Sequence, residues 1–234
     1  MELFYSTNID DNTILLDEIE STHCLRVLRH KIGDSIEVTD GIGHRYSGII
    51  SAASKICKVE ITEKHFEQPS NKQLHIAIAP PKSIDRFEWF LEKSTELGIE
   101  TITPLQCRYS ERKHINAERC GKIILAAMKQ SNRVYLPVLN EMISLEKFIT
   151  IPSTAKKLIA HCEESEKLTL EKSIAAEQVI VLIGPEGDFA PHEIKLAIDA
   201  GYENISLGEK RLRTETAALH VCSAFALKNR TGQS

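Results

Sequence analysis

The sequence contains no long apolar run and no export signal. Its uninterrupted apolar runs, such as Val179 to Ile183, are far shorter than the roughly 20 residues that a membrane-spanning helix needs. The N-terminus, Met1 to Tyr5, lacks the basic flank and the apolar stretch of a signal peptide. We therefore expect a soluble, cytoplasmic protein with no membrane association.

The cysteines and histidines are not spaced as metal ligands. The six cysteines form no CxxC pair, and the nine histidines include no HExxH motif. Most of the cysteines lie in apolar segments, where a reduced thiol behaves as a small hydrophobic side chain. We expect buried free thiols and no bound metal.

Several common catalytic and nucleotide-binding motifs are also missing. The sequence has no GxxxxGK[ST] phosphate loop and no GxSxG nucleophile elbow. The pair Gly41-Ile42-Gly43 lacks the third glycine and the following helix of a dinucleotide fingerprint. These absences argue against P-loop nucleotide binding, dinucleotide binding and serine hydrolase activity.

The chain has no net positive charge, but its basic residues are clustered. The formal net charge is −4, and residues 1–20 carry six carboxylates without a lysine or an arginine. Three basic clusters consist of Arg26, Arg29 and Lys31; of Arg108, Arg112, Lys113, Arg119, Lys122, Lys129 and Arg133; and of Lys210, Arg211 and Arg213. Each cluster alone is typical of a solvated helix face, whereas the three together favour an anionic partner.

Residues 1–70 have the pattern of a small β-rich domain. Segments of β-type composition lie at 4–5, 35–39, 44–51 and 58–62. Asp40-Gly41 is typical of a hairpin turn. One helix interrupts the strands; Ser21 is its expected cap, and its apolar face consists of Cys24, Leu25, Val27 and Leu28. We predict a small β-barrel, followed by a linker at 68–72.

Residues 71–234 alternate between strand and helix patterns. The predicted strands are 74–79, 101–107, 157–161, 179–183 and 205–207, and the predicted helices are 84–97, 117–130, 144–148, 191–200 and 214–228. This alternation is typical of an α/β fold with a largely parallel sheet and helices on both faces. The strand at 179–183 has no polar face, so we expect it to be buried on both sides.

Two loops at the carboxyl ends of predicted strands are suited to ligand binding, since ligands of parallel sheets bind there. The first loop, Gly184 to Asp188, combines glycines with a rigid proline, although a plain turn has the same composition. The second, Leu207 to Ala217, leads into the last helix, which Thr214 is expected to cap. Backbone N–H groups at that helix start can hold an anion or the polar edge of a cofactor.

These two loops carry a resemblance to a known family. GPEGD after a buried strand, followed by LGEKRLRTETAA at 207–218, resembles the C-terminal signature of SPOUT methyltransferases. The closer resemblance is to the ribosomal RNA small-subunit methyltransferase E family, the 16S rRNA uridine-N3 methyltransferases. Asp188 stands where that family commonly has glycine, and Ala190 stands where a serine often caps the next helix.

The resemblance implies a fold, a cofactor and partners. The implied fold is a PUA-like β-barrel RNA-binding domain over residues 1–70 and a SPOUT methyltransferase domain over 71–234, with a C-terminal trefoil knot. The family acts as a homodimer on 16S rRNA or the small ribosomal subunit and binds S-adenosyl-L-methionine in the knot. The cofactor-binding residues carried over are Leu182, Gly184, Pro185, Glu186, Gly187, Leu207, Gly208, Leu212, Arg213, Thr216 and Ala217.

Methylation of uridine N3 needs a proton acceptor or a group that stabilises the uridine anion, because the N3–H group is a weak acid. We expect Arg213 to face that anion or a phosphate, and Glu186 or Glu215 to accept the proton. Glu215 is equally consistent with a helix N-terminal carboxylate that stabilises only the fold. The candidate RNA-binding residues are Arg26, Arg29, Lys31, Arg108, Arg112 and Arg133.

Two other functions are compatible with these features. One is a SPOUT methyltransferase that acts on a ribose 2′-hydroxyl or a guanine, which analysis of the modified nucleoside separates from uridine-N3 methylation. The other is a non-catalytic RNA-binding module that has kept the fold, for which cofactor binding is the discriminating measurement.

Overall fold

The structure is a computed structural model that describes residues 2–230 of the 234. The chain packs as two compact units. The first unit comprises residues 1–69 and 125–136, and the second comprises 70–124 and 137–234. The sequence pattern assigned the segment 125–136 to the second domain, whereas its contacts are with the first unit.

The first unit contains a five-stranded sheet in the order β1-β3-β4-β5-β2. Its strands are β1 (Leu3–Tyr5), β2 (Thr13–Leu15), β3 (Ser35–Thr39), β4 (His44–Ala53) and β5 (Cys57–Phe66). The β1–β3 pair is parallel and the other pairs are antiparallel, so that β3 and β4 form the predicted hairpin. The buried core includes Phe4, Ile14, Ile36, Val38, Ile50 and Val59.

The helix of the first unit begins earlier than the sequence predicts. Helix α1 (Glu18–Thr22) continues into a π-helical turn, His23–Val27. The carboxylate of Asp17 caps it by accepting the Glu20 N–H at 2.7 Å. The predicted cap, Ser21, lies inside the helix, and its hydroxyl accepts the Cys57 N–H at 2.8 Å. The prediction was therefore wrong, because Ser21 serves a tertiary contact; Val27 is also 62% exposed, away from the core.

Segment 125–136 is bound to the first unit by hydrogen bonds and one buried ion pair. The Gly43 N–H donates to the Val134 carbonyl, and the Leu136 N–H donates to the Gly41 carbonyl, each at 2.9 Å. The Lys129 ammonium pairs with the carboxylate of Glu20. These contacts explain why the segment belongs to the first unit although it lies far along the chain.

The second unit contains an eight-stranded sheet in which every pair is parallel. Its order is β11-β13-β10-β12-β6-β7-β8, and β9 also pairs with β7. The strands are β6 (Gln73–Ile78), β7 (Thr101–Gln106), β8 (Val138–Leu139), β9 (Ile143–Ser144), β10 (Lys156–Ala160), β11 (Leu168–Thr169), β12 (Gln178–Ile183) and β13 (Glu203–Ser206). The predicted α/β fold is confirmed, and β12 is buried from Val179 to Ile183 as expected.

Six further helices follow in chain order. They are α2 (Ile84–Leu97), α3 (Ala117–Gln130), α4 (Leu145–Phe148), α5 (Leu170–Ser173), α6 (Pro191–Asp199) and α7 (Thr214–Arg230). Helix α2 ends, as predicted, at Gly98, whose φ of 99° is left-handed and favours glycine. None of the helices among residues 2–230 is long and apolar enough to cross a membrane.

The cysteines are all free thiols, and five of the six are buried. Cys162 is exposed, so the expectation of burial was wrong for this residue. Within the described part of the chain, no group of three or more His, Cys, Asp and Glu side chains is arranged to hold a metal ion.

Candidate functional site

A cavity of about 660 Å³ lies in the second unit, where the carboxyl ends of β10, β12 and β13 meet. Three segments line it: residues 160–162 with Lys167, residues 183–186 with Asp188, and residues 205–214 with Ala217. The parallel pairing of β10 with β12 and with β13 brings these three strand ends to one edge of the sheet. The cavity therefore occupies the edge at which parallel sheets bind ligands.

Most of the predicted cofactor-binding residues line this cavity, namely Gly184, Pro185, Glu186, Leu207, Gly208, Leu212, Arg213 and Ala217. Three others do not. Leu182 is fully buried in the core beside the sheet. Gly187 packs against Tyr109. Thr216 is exposed on α7, outside the lining of the cavity.

The loop after β12 is held by the side chain of Asp188. Asp188 has a φ of 67°, a conformation that favours glycine but that aspartate tolerates. Its carboxylate accepts the Cys162 N–H at 2.7 Å and the N–H of Phe189 at 2.8 Å. The aspartate therefore adopts a left-handed conformation, and it ties this loop to the one after β10.

Thr214 connects the two loops on which the resemblance rests. Its hydroxyl donates to the Gly184 carbonyl at 3.1 Å, in a buried position. The first backbone bond of α7 runs from the Ala217 N–H to the Arg213 carbonyl at 2.8 Å. Arg213, rather than the predicted Thr214, thus occupies the position before the first helical residue. The threonine side chain serves the contact between loops instead of the cap.

Glu186 is fixed at both its side chain and its backbone. Its carboxylate accepts the Lys82 N–H at 2.9 Å, and its carbonyl accepts from the Arg211 guanidinium at 3.2 Å. The Lys82 ammonium lies 2.8 Å from the carboxylate of Glu111, whose hydrogen bond and charge raise the pKa of Lys82. Arg112 donates to the carbonyls of Pro81 and Lys82 and so holds this second backbone segment in place.

The three candidate catalytic residues are not all at the cavity. Glu186 and the exposed Arg213 line it, whereas Glu215 is buried outside its lining. One carboxylate oxygen of Glu215 is 3.8 Å from Nε of Arg86, and the other has no hydrogen-bond partner among the described residues. This position matches the alternative in which Glu215 stabilises the fold at the start of α7.

His161 is a cavity residue that the sequence did not single out as functional. It is 8% exposed, and its Nε2 is 2.9 Å from the side-chain oxygen of Asn204. When Nε2 donates to that amide oxygen, the Nδ1 of a neutral ring is left as an acceptor. Within residues 2–230, that buried Nδ1 has no partner. The one signal in the sequence was its place at the carboxyl end of a predicted strand.

The lining also includes residues that the sequence analysis did not assign individually to the cofactor, namely Cys162, Lys167, Asp188, Ser206, Glu209, Lys210 and Arg211. The thiol of Cys162 is not an activated nucleophile, because partial burial and the Asp188 carboxylate raise its pKa. Lys210 and Arg211 belong to the third basic cluster and to the loop from Leu207 to Ala217, which the sequence already indicated as suited to ligand binding.

The six candidate RNA-binding residues are divided between the two units. Arg26, Arg29 and Lys31 are exposed in the first unit, and Arg108 is exposed in the second. The guanidinium of Arg112 is engaged with backbone carbonyls, as described above. Arg133 is half-buried and lies in the segment that packs with the first unit.

Comparison with known proteins places these features in one family. Residues 68–226 match the family described as "RNA methyltransferase domain", and residues 16–62 match "RNA methyltransferase PUA domain". Ribosomal RNA small subunit methyltransferase E of Rickettsia conorii is 30% identical over 93% of this chain and 91% of that protein.

Two crystal structures are similar over almost the full length. The probable rRNA-methyltransferase from Porphyromonas gingivalis is 37% identical, with a TM-score of 0.91 and complete coverage of both chains. The ribosomal RNA small subunit methyltransferase E from Neisseria gonorrhoeae, bound to S-adenosyl methionine, is 28% identical, with a TM-score of 0.84 and 97% coverage of each chain.

Proposed function

Because the chain belongs to the ribosomal RNA small subunit methyltransferase E family, we propose that it transfers a methyl group from S-adenosyl-L-methionine to N3 of a uridine in 16S rRNA. The observation that carries this proposal is the cavity at the carboxyl ends of β10, β12 and β13, lined by the loops with the GPEG and LRTETA sequences. The substrate would be the small ribosomal subunit or its RNA in the cytoplasm.

The cavity fits the proposed cofactor in size and in hydrogen-bonding chemistry. Its volume lies in the range of about 300–1,000 Å³ that is usual for small-molecule sites. Its lining includes His161, whose buried Nδ1 has no hydrogen-bond partner within residues 2–230, and S-adenosyl-L-methionine carries ribose hydroxyl and amine donors. Gly208 has a φ of 113° and bare backbone beside the cavity, where no Cβ stands in the way of a ligand.

The cofactor, when bound, supplies a methyl group that its sulfonium has already activated. The residues of this chain must stabilise the charge on the uracil ring, accept the N3 proton and position the two reactants. Arg213 is exposed at the cavity, where its guanidinium can stabilise the negative charge that develops on the uracil ring. The carboxylate of Glu186 is positioned by the Lys82 N–H and can take the N3 proton with its other oxygen. Loops held by side-chain hydrogen bonds fix the relative positions of these groups.

Exposed cations are the groups we propose for holding RNA phosphates. In the first unit these are Arg26, Arg29 and Lys31, and in the second unit Arg108. Phosphate contacts position the RNA, while the target base is selected after it leaves its stack. Arg112 is assigned to the support of the backbone at Pro81 and Lys82.

The family resemblance also supports a SPOUT-type trefoil knot at the C-terminus. The Thr214 hydroxyl donates to the Gly184 carbonyl, so the segment from Leu207 to Thr214 contacts the loop after β12. A knot requires these two segments to lie against each other. An experimentally determined structure tests the knot directly, since the path of the chain into α7 either passes through the preceding loop or runs beside it.

Methyl transfer to small ribosomal subunits that lack the modification tests the function. The protein is incubated with the subunits and labelled cofactor, and the RNA is digested to nucleosides for mass analysis. We expect 3-methyluridine as the labelled product. A 2′-O-methylated nucleoside or a methylguanosine would instead assign another SPOUT target. RNA binding without cofactor binding would assign the non-catalytic module.

A further inference from the structure

Tyr109 is an exposed aromatic residue beside the cavity loop. It follows β7, and its side chain is 50% exposed. Its Cβ and ring edge pack on Gly187: a Cβ at residue 187 would lie 3.3 Å from Cβ and 3.7 Å from Cγ of Tyr109. The side chain therefore lies against the backbone next to Glu186, and half of its surface is exposed to solvent.

The backbone of the loop that carries Tyr109 is held by hydrogen bonds that are buried or partly buried. The Cys107 N–H donates to the Ser110 hydroxyl at 2.9 Å, and the N–H of Ser110 donates to the Cys107 carbonyl at 3.1 Å. The carboxylate of Glu193 is fully buried and accepts from the Arg108 and Ala190 N–H groups, each at 2.8 Å. This single carboxylate joins the Tyr109 loop to the start of α6, so the backbone that carries the ring is held in place.

We propose that Tyr109 is the platform on which the target base stacks once it has left the RNA, an assignment that rests on the proposed function. A base brought out of its stack loses its neighbours, and an aromatic side chain replaces that contact at about 1–3 kcal/mol per base. The ring adjoins Gly187, next to the carboxylate assigned to the N3 proton, yet lies outside the lining of the cofactor cavity. Beside it, the exposed Arg108 side chain has no partner within residues 2–230 and is placed to meet the phosphate of the same nucleotide.

The test compares Tyr109→Ala with Tyr109→Phe and with Trp89→Ala. Trp89 is the matched control, because it is a 46% exposed aromatic on α2 of the same unit. For each variant we would measure the KM for unmodified small subunits, the single-turnover rate at saturating subunits and the affinity for S-adenosylhomocysteine. Circular dichroism and the melting temperature verify that each variant folds.

We expect Tyr109→Ala to raise the KM about 5- to 150-fold, because that is the change in affinity that corresponds to the loss of the stacking free energy. Tyr109→Phe should stay within about threefold of wild type, because it keeps the ring, and affinity for S-adenosylhomocysteine should not change in either variant. A KM within twofold of wild type for Tyr109→Ala, or an equal loss of S-adenosylhomocysteine affinity, would overturn the assignment. If the wild-type protein makes no 3-methyluridine, the proposed function fails; direct sedimentation binding of the subunits then decides the role of Tyr109 without the reaction.

Discussion

Arg213 is the residue on which the proposed chemistry depends most. It lies at the cavity immediately before α7, and its side chain is exposed. A preorganised hydrogen-bond donor that faces developing charge typically lowers the activation free energy by about 3–4 kcal/mol. We expect Arg213→Ala to lower the single-turnover rate roughly 100- to 1,000-fold, with a smaller loss of cofactor affinity, measured at saturating cofactor and subunits.

Arg213→Lys is the informative companion variant. It should restore only part of the rate, because a point charge does not reproduce the planar guanidinium. A rate for Arg213→Ala above half of wild type would remove Arg213 from the mechanism and make Glu186→Gln the next variant to examine.

His161 should contribute to cofactor binding through its unpartnered Nδ1. The variant His161→Phe keeps a flat ring and loses the acceptor. A neutral hydrogen bond contributes about 0.5–1.5 kcal/mol, so the affinity for S-adenosylhomocysteine should fall roughly 2- to 12-fold in calorimetry. Cys162→Ala is the control, since it alters the adjacent lining residue without removing a ring acceptor. Equal affinities of His161→Phe and wild type would show that Nδ1 does not meet the cofactor.

At the scale of the secondary-structure elements, the site consists of loops joined by side-chain-to-backbone hydrogen bonds. Thr214 binds the Gly184 carbonyl, Asp188 binds the Cys162 N–H, and Glu193 binds the Arg108 N–H. Each bond connects the ends of different strands or helices. The geometry of the cavity therefore depends on short polar side chains that no single element supplies.

The central strand β6 carries a histidine that makes stability depend on pH. His75 contacts the Thr103 hydroxyl at 2.7 Å and the ring of Phe148 at 5.4 Å between centroids, and burial lowers its pKa to about 4. The unfolded chain has a histidine pKa of about 6.5, so between these values it binds a proton that the folded protein does not. Stability should accordingly fall as the pH falls from about 6.5 to about 4.

Urea unfolding of wild type and His75→Leu between pH 7 and pH 4.5 measures this effect. The contribution is at most about 1.4 kcal/mol per pH unit for one proton. The variant lacks the titrating group, so its free energy of unfolding should decline less steeply on acidification. Parallel pH profiles for the two proteins would contradict the assignment to His75.

For the whole molecule, we expect a homodimer that uses α7. This helix carries buried residues toward the sheet, yet it also exposes Leu227 at 63% and leaves Leu219 and Ala224 half-buried. An apolar surface that remains after the core is covered is suited to a second copy of the chain. Sedimentation equilibrium at micromolar concentration should give twice the chain mass, and Leu227→Asp should weaken the association. A wild-type monomer under these conditions would exclude the dimer.

RNA binding by the first unit is also a property of the whole molecule. Replacing both Arg26 and Arg29 with alanine should weaken the affinity for the small subunit and leave cofactor affinity unchanged. The log–log salt slope should flatten by about one unit per lost charge. Lys55→Ala is a suitable control, because Lys55 is an exposed cation of the same unit that pairs with Glu18. If the slope of the double variant equals that of wild type, these arginines do not contact phosphates.

Local patterns in the sequence were sufficient for several of the longer elements of this fold. The predicted bounds of α2 and α3, 84–97 and 117–130, agree with the structure, as do those of β3, 35–39. An amphipathic or alternating pattern over several turns or residues is a property of the segment itself, so it predicts the element without knowledge of its neighbours. The two loops with GPEG and LRTETA were identified for the same reason, because each motif is a continuous string of residues in the sequence.

Several strands of two or three residues, the directions of side chains and the exact lining of the cavity were decided by tertiary structure. Strands of two residues such as Val138–Leu139 exist only through pairing with a neighbouring strand. Ser21 bonds to the distant Cys57 instead of capping its helix, and Gly187 faces Tyr109 instead of the cavity. His161 became a site residue only because parallel pairing sets the end of β10 beside the ends of β12 and β13. The direction in which a side chain points, and what it meets there, is determined by contacts between segments far apart in the chain.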